Sequence, residues 1–409
     1  MNRIIFHCDL NSFYASVELL EYPELVNKPV AVCGDPESRR GIILAKNEPA
    51  KKMGVKTAET IWQAKRKCPD IVLLPAHHDK YRHYSKLASE IYGRYTDLVE
   101  PFGIDESWLD MTGSLHLFGG DAKKTADEIR AVMKAELGLT ASIGVSFNKV
   151  FAKLGSDYKK PDATTVISAE NFRDIVWPLP ITDLLYVGKA TAKILTQFGM
   201  QTIGDVAACP KERMVAMLGK HGAQISDYAT GKEHSAVRPA VEERSPKSVG
   251  NGSTFPANLQ GRQEIRQGLS ILADQVGARL RRYGFKGTTL QVTIRDPEFH
   301  DKSRQRKLDV PTQISREILR ISMELVEEFW DFHNPVRAMT ITAASLIPEK
   351  EAGEQLDLFR PHSSQQHDKQ EKLEHTMDHL RSKYGKTIIS FADRVKQGDI
   401  LAAGDDEEE

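Results

Sequence analysis

Val99-Glu100-Pro101-Phe102-Gly103-Ile104-Asp105-Glu106-Ser107-Trp108-Leu109-Asp110-Met111 is the stretch whose reading decides the fold. Val99 to Ile104 reads as one strand and Ser107 to Met111 as the strand returning. Two adjacent carboxylates at such a hairpin tip can hold divalent cations, because hard cations such as Mg²⁺ take oxygen ligands. Working outward, a further acid ends the apolar strand Ile4-Ile5-Phe6-His7-Cys8-Asp9. Asp9, Asp105 and Glu106 together can hold two metal ions about 3.5–4 Å apart, the arrangement used in nucleotidyl transfer. An Asp-Glu pair in a turn is by itself most often solvated surface, so the surroundings must carry the argument.

At 409 residues the chain exceeds one compact core, and two to four domains are expected. Its formal charge of −1 hides an asymmetry. Residues 244–346 hold 16 Lys and Arg against 11 Asp and Glu, whereas residues 347–409 hold 9 against 15. A basic module followed by an acidic tail suits a polyanionic partner for the former. Cys8, Cys33, Cys68 and Cys209 are widely spaced, which argues against a disulfide framework or a zinc site. His77-His78 lacks partners at ligand spacing and reads as a solvated pair. No apolar run approaches the length of a signal peptide or a membrane span, so a reduced, cytoplasmic protein is expected.

Residues 1–165 read as an α/β unit. The strand ending at Asp9 leads into a helix over 13–20, and an excursion over 23–75 carries strands at Val30–Cys33 and Gly41–Ala45. Short helices are expected around Ala50 and over Ile61–Ala64. A helix over 80–95, the acidic hairpin, a helix over 122–136 and a strand over 140–145 follow. That order suits an antiparallel-containing sheet backed by helices. Residues 166–232 read as small and helical. There a Gly turn at Gly199 joins two short helices near Lys189 and Lys193, offering backbone N–H groups and charge to a phosphate or forming an ordinary αα-hairpin. Gly231 to Pro246 reads as a linker, with 233–246 its core.

Beyond it a strand-helix-strand pattern is used twice. Ile265, Leu269, Leu272, Val276 and Leu280 fall at helical spacing, as do Ile314, Ile318, Ile321, Leu325 and Phe329, and strands follow at 290–294 and 338–342. This gives a small sheet with two helices on one face. The other face is left for a polyanionic backbone, with Lys247, Arg295, Ser303, Arg304 and Arg306 as candidate phosphate contacts.

The segments Asp9-Leu10-Asn11-Ser12-Phe13-Tyr14-Ala15-Ser16-Val17-Glu18 and Gly103 to Asp110 resemble the two metal-binding motifs of Y-family DNA polymerases. Gly144 to Leu154 resembles that family's helix after the third palm strand, and Ala50 to Lys56 its finger segment. In this order the motifs are similar to those of a DinB-type member over residues 1–346. The resemblance implies an α/β, right-handed polymerase. Its parts would be a palm (1–22 and 76–165), small fingers (23–75), a helix-hairpin-helix thumb (166–232), a linker (233–246), a βαββαβ little finger (247–346) and a tail (347–409).

The resemblance also implies roles. Asp9 and Asp105 would bridge two Mg²⁺ ions, Glu106 would hold the ion that activates the primer 3′-hydroxyl, and the Leu10 carbonyl would complete one coordination shell. Lys51 and Lys160 would contact the triphosphate of the incoming deoxynucleotide. Without the resemblance both lysines read as solvated surface. Tyr14 would sit under the incoming sugar and exclude a 2′-hydroxyl, with Phe13 in the nucleotide floor or core. Primer-template DNA would be held at Lys189 and by the little-finger contacts named above. Four departures stand out: Asn11 replaces a common second aspartate, Glu48 a frequent tyrosine, Ser12 a larger residue, and Tyr186 the first of two expected glycines in the thumb hairpin.

Gln355-Leu356-Asp357-Leu358-Phe359 resembles the peptide with which bacterial polymerases grip the sliding clamp, the β subunit; its Gln would bond a groove edge while Leu358 and Phe359 fill an apolar pocket. Beyond it Leu373, Met377 and Leu380 suggest a short amphipathic helix before an acidic, disordered end. The expected activity is template-directed, error-prone translesion synthesis by a monomer with no proofreading exonuclease. A non-catalytic scaffold has no use for Asp9, Asp105, Glu106 and Lys160. A nucleotidyl cyclase shares a two-metal palm but leaves the basic module and clamp peptide unexplained.

Overall fold

The computed structural model describes residues 3–35, 41–239, 245–351, 363–385 and 388–389. Residues up to 34 and from 41 to 239 form one compact unit, and those from 245 onward form another. The clamp-like peptide Gln355–Phe359 and the acidic end lie outside the described residues.

In the first unit a five-stranded sheet has the order β5-β6-β1-β7-β8. Its strands are β1 (Ile5–Leu10), β5 (Val99–Pro101), β6 (Glu106–Asp110), β7 (Ala141–Ser146) and β8 (Thr164–Ile167). Strands β1 and β7 are buried along their whole length, so only their ends can serve a solvent-facing site. Helices α1 (Phe13–Leu19), α4 (His78–Tyr92) and α5 (Ala122–Leu137) cover the sheet's core. The start and stop of α5 are legible locally: the Asp121 side chain accepts from Lys124 N–H, and Gly138 closes the helix at φ 68°.

The excursion forms its own three-stranded sheet, β3 (Ile43–Lys46), β2 (Val30–Cys33) and β4 (Val72–Pro75), with α2 (Glu48–Lys52) and α3 (Ile61–Lys67). Sequence reasoning missed β4 and β8. Both are four-residue strands that pair in parallel with β2 and β7, and too short to show a period. The acidic hairpin has a wider tip than expected. Pro101 ends β5, residues 102–105 bend, and Phe102 N–H and Gly103 N–H both donate to the Glu106 carbonyl. Glu106 therefore opens the return strand directly opposite Asp9 of β1.

Helix α6 (Lys149–Tyr158) lies against this sheet at a glycine-to-glycine contact. A Cβ on Gly144 would stand 1.9 Å from the Ala152 carbonyl oxygen, and one on Gly155 would stand 2.9 Å from Gly144 Cα. Only glycine allows this approach. Helices α7 (Phe172–Val176), α8 (Lys189–Gln197), α9 (Ile203–Ala208), α10 (Lys211–Leu218) and α11 (Lys220–Ala229) pack around a core shared with Val150, Phe151 and Leu154. Ile181–Asp183 forms one 3₁₀ turn ahead of α8. Gly199 breaks the chain between α8 and α9 at φ 83°.

The second unit is an antiparallel sheet of order β11-β10-β12-β9, built from β9 (Ser248–Leu259), β10 (Phe285–Arg295), β11 (Asp301–Thr312) and β12 (Val336–Pro348). Helices α12 (Gly261–Tyr283) and α13 (Ser315–Phe329) bury Leu290, Val292, Ile294, Met339 and Ile341 beneath them. The βαββαβ order is the one read from the sequence.

Register corrects two proposed phosphate contacts. Arg304 pairs with Val292 and Arg306 with Leu290, so both share the helix-covered face. Arg306 is bound to Glu324 (2.6 Å) and Glu328 (2.5 Å) of α13, and Arg304 stacks over Phe329. Ser303 pairs with Thr293, and Arg295 with Asp301, on the opposite face. There Arg295 is held bidentately by Asp301 at 2.7 Å. Lys247 is exposed just before β9.

The C-terminal helix also departs from expectation. Helix α14 (Ser363–Tyr384) extends well beyond one short helix. Leu373 is 57% exposed while Glu374 is buried, the reverse of an apolar stripe. Glu374 accepts from Ser315 N–H at 2.9 Å, capping α13 from outside, and pairs with buried Arg281. Arg381 meets Asp274 and Lys286 meets Glu371, so ion pairs dominate the docking and Met377 is its buried apolar contact. Among the described residues no helix is long and apolar enough to cross a membrane.

Candidate active site

The ends of β1 and β6 open into a cavity of about 470 Å³. One wall holds Asp9, Leu10, Asp105, Glu106 and Lys160; the other holds Lys46, Glu48, Lys51 and Thr57 from the three-stranded lobe. Phe13 and Tyr14 also line it. The eight residues proposed as metal or nucleotide contacts, Asp9, Leu10, Phe13, Tyr14, Lys51, Asp105, Glu106 and Lys160, thus share one space. Leu10 N–H donates to the Asp105 carbonyl at 3.0 Å, which ties the two acidic loops together.

The carboxylates are braced from beneath. Asp9 Oδ2 meets Lys160 Nζ at 2.6 Å and Lys153 Nζ at 3.3 Å. Lys153 also reaches Glu106 Oε2 (3.1 Å) and Asp157 Oδ2 (3.1 Å), and Lys160 reaches Asp157 Oδ1 (2.7 Å). Completely buried His7 faces the same Glu106 oxygen at 3.2 Å, without an aligned hydrogen bond between the two atoms. Ser156 donates its hydroxyl to the Lys153 carbonyl, and its oxygen lies 2.8 Å from His7 Nδ1 on the far side of the ring. Lys153, His7, Ser156 and Asp157 were not singled out from sequence, although Lys153 lies inside one of the quoted motifs. For Lys153, Ser156 and Asp157 the spacing along α6 was the available signal, but it reads equally as a solvated stripe.

Charge crowding has opposite effects on neighbouring acids. Burial, then the charges of Asp9 and Glu106, push Asp105 up to about 6. Burial also works to raise Glu106, but His7 and the Lys153 ammonium outweigh it and hold Glu106 down at about 2. Burial lowers Lys153, and Asp157, Asp9 and Glu106 more than reverse this to keep it charged. Among the described residues no three His, Cys, Asp or Glu side chains converge on one point as a preformed metal cage. The donor chemistry nonetheless fits hard divalent cations. Three carboxylates, Asp9, Asp105 and Glu106, lie together on one wall of the cavity, and the buried Glu106 Oε2 lacks an aligned hydrogen bond.

Tyr14 stacks on Tyr81 with ring centroids 3.9 Å apart and planes 10° apart. Tyr81 is fixed in turn by its hydroxyl bond to Glu18 (2.5 Å). Phe13 is in the core at 3% exposure and also reaches the cavity. The histidine pair is not merely solvated: His77 bonds buried Glu18 at 2.9 Å, and His78 meets Tyr14 edge-on at 5.8 Å. Three sequence departures also find explanations. Asn11 bridges Thr140 and Ser142, pinning β1 to β7. Glu48 binds Lys51 at 3.3 Å and partly offsets its charge at the cavity rim. Tyr186, where a glycine was expected, has φ 66°, the left-handed conformation that glycine takes most readily. Exposed Lys189 begins α8 just beyond it.

Residues 8–157 match the model of the impB/mucB/samB family, and residues 246–358 match that of its C-terminal domain. A DNA polymerase IV of Acetivibrio thermocellus is 47% identical over 94% of this chain and 96% of its own length. DNA polymerase IV 1 of Bacillus subtilis is 38% identical over 98% of this chain and 96% of its own. The chain belongs to the DNA polymerase IV family. A solved Y-family DNA polymerase chimera of Dbh and Dpo4 shares the fold with a TM-score of 0.75 and 22% identity, over 84% of this chain and 99% of that one. The mixed α/β architecture, with palm and little finger, is therefore that of Y-family polymerases, and membership implies dependence on a divalent metal.

Proposed function

We propose that this chain, a DNA-directed DNA polymerase of the translesion class, adds deoxynucleotides to a primer 3′ end by two-metal catalysis without proofreading. The carrying observation is the cavity in which three carboxylates face lysines of a separate lobe across a space of nucleotide size. Asp9, Asp105 and Glu106 would hold two Mg²⁺ ions, with the Leu10 carbonyl as a further oxygen donor. Those ions would supply activation of the primer hydroxyl and neutralisation of the triphosphate. Lys51 and Lys160 add fixed positive charge where the leaving pyrophosphate develops its own. Tyr14, immobilised against Tyr81, presents a rigid surface to the sugar and selects against a 2′-hydroxyl.

In this reading the five-stranded sheet is the palm (1–22 and 76–165) and the three-stranded lobe the fingers (23–75). Residues 166–232 form the thumb, 233–246 the linker, 247–346 the little finger and 347–409 the tail. Lys189, Lys247, Arg295 and Ser303 remain the proposed phosphate contacts, and Gln355–Phe359 the proposed clamp-binding peptide of a monomeric, cytoplasmic enzyme.

Primer extension on undamaged template with Mg²⁺ and four deoxynucleotides tests the reading. Asp105→Asn should lower single-turnover addition by about 10³-fold, since metal-borne charge stabilisation is worth several kcal/mol. Primer-template binding should persist. A well-folded wild type that binds DNA but adds nothing would refute the polymerase assignment.

A further inference from the structure

Beneath the catalytic carboxylates, Lys153, Asp157 and Lys160 form a closed lattice with Asp9 and Glu106, and the reaction as described gives Lys153 and Asp157 no role. Lys153 contacts three carboxylates at once: Asp9 at 3.3 Å, Glu106 at 3.1 Å and Asp157 at 3.1 Å. Lys160 contacts Asp9 at 2.6 Å and Asp157 at 2.7 Å. Lys153 is 15% exposed and stands on α6, whose position is fixed by the Gly144–Gly155 approach. A buried ammonium with three carboxylate partners is already saturated, since Lys offers three N–H donors. Asp157 differs from the other acids. It does not line the cavity, it is about half exposed, and it is shared by both lysines.

We propose that Lys153 is a positioning residue that stands in for a cation between Asp9 and Glu106, and that Asp157 is the counter-charge that draws it away as metal is loaded. This rests on Asp9 and Glu106 being metal ligands, as proposed above. Without metal, two acids on adjacent strands directly opposite one another would repel and spread. The Lys153 ammonium holds them together in the metal-free state. It also competes with the ion for the same oxygens, so it sets metal affinity as well as geometry. Asp157 gives the lysine a second home one helical turn away, at i+4 on the same helix.

The test measures Mn²⁺ binding by electron paramagnetic resonance on the full chain, with dideoxy-terminated primer-template and incoming nucleotide. Lys153→Met removes the competing cation and should tighten Mn²⁺ binding on the order of tenfold. Single-turnover addition started by adding metal to metal-free enzyme should slow, because the carboxylates are no longer held together before the metal arrives. Lys153→Arg should recover much of the rate. Asp157→Asn should act in the opposite direction and weaken Mn²⁺ binding, and it keeps the test decisive where Lys153→Met does not fold. Unchanged or weaker Mn²⁺ binding in folded Lys153→Met, or unchanged binding in Asp157→Asn, would overturn the assignment. Wild-type addition, scored in the same series, separates the two readings. Its absence refutes the polymerase, whereas intact addition with unaltered Mn²⁺ affinities refutes only the lysine's role.

Discussion

The five-stranded sheet of the first unit and the four-stranded sheet of the second both place charges beneath helices, with opposite consequences. In the first, α6 turns Lys149, Lys153 and Asp157 toward the sheet, where each is ion-paired, and Lys160 just beyond the helix joins Asp9 and Asp157. Those pairs converge on the acids at the strand ends. In the second, Arg304 and Arg306 engage α13 and leave the opposite face to Gly250, Gly252, Thr293, Ser303, Thr340 and Thr342. One sheet fixes charge to within a hydrogen-bond length, as stabilising a reacting centre requires. The other presents glycine, threonine and serine through its centre, and suits a surface that meets a backbone without reading it.

The harshest way to break the first arrangement is Gly144→Ala. Its methyl would collide with backbone atoms of α6, 1.9 Å from Ala152 O and 2.5 Å from Ser156 N. Stability should fall by about 3 kcal/mol, read as a lower urea midpoint, because neither backbone can yield cheaply. Nucleotide addition should fall with it. A folded, fully active variant would mean that α6 does not set the lattice.

The second arrangement is sharpened by paired substitutions. Thr342→Glu puts a negative charge on the open face and should weaken primer-template binding by about tenfold or more in a fluorescence-anisotropy titration. Arg306→Ala, on the covered face and committed to two glutamates, should cost no more than about twofold. The reverse order would show that the DNA lies along the β11 edge.

A milder probe is the Glu100–Lys149 pair (2.6 Å), whose side chains are 10% and 9% exposed. Burial acts to raise Glu100, but Lys149 and the Arg238 N–H outweigh it and hold it below the usual carboxylate range. A lowered carboxylate stabilises the fold above its unfolded pKa, and that stability is lost as pH falls through the folded value. Wild type should therefore melt above Glu100→Gln at pH 7, and the gap should close below the ordinary carboxylate range. A gap independent of pH would rule out the charge as its source.

The smallest effect belongs to Tyr186→Gly, which relieves a left-handed φ of 66°. Stability should rise by up to about 1 kcal/mol, the strain of that conformation less the freedom glycine gains when unfolded. A lower melting temperature would show that the Tyr186–Tyr228 contact (6.3 Å) matters more than the backbone.

The sequence by itself determined the strand ends that carry Asp9, Asp105 and Glu106, the βαββαβ order, and the inserted lobe with Lys51. Each rests on periodicity or a motif contiguous in the chain, and local chemistry enforces it. The sequence offers Ser303 and Arg295 as strand-borne phosphate contacts, but which face of β11 meets the helices depends on its register with β10. Only the tertiary structure decided that. It also decided that α6 shows its charged stripe to the sheet. A helical wheel assigns such a stripe to water, whereas here a glycine-to-glycine approach on one side and the Phe151 core on the other turn it inward. Likewise Glu374 is buried and Leu373 exposed because α14 docks through ion pairs to Arg281 and its neighbours. Charges read correctly as charges could not be placed until their partners, distant in the chain, were in contact.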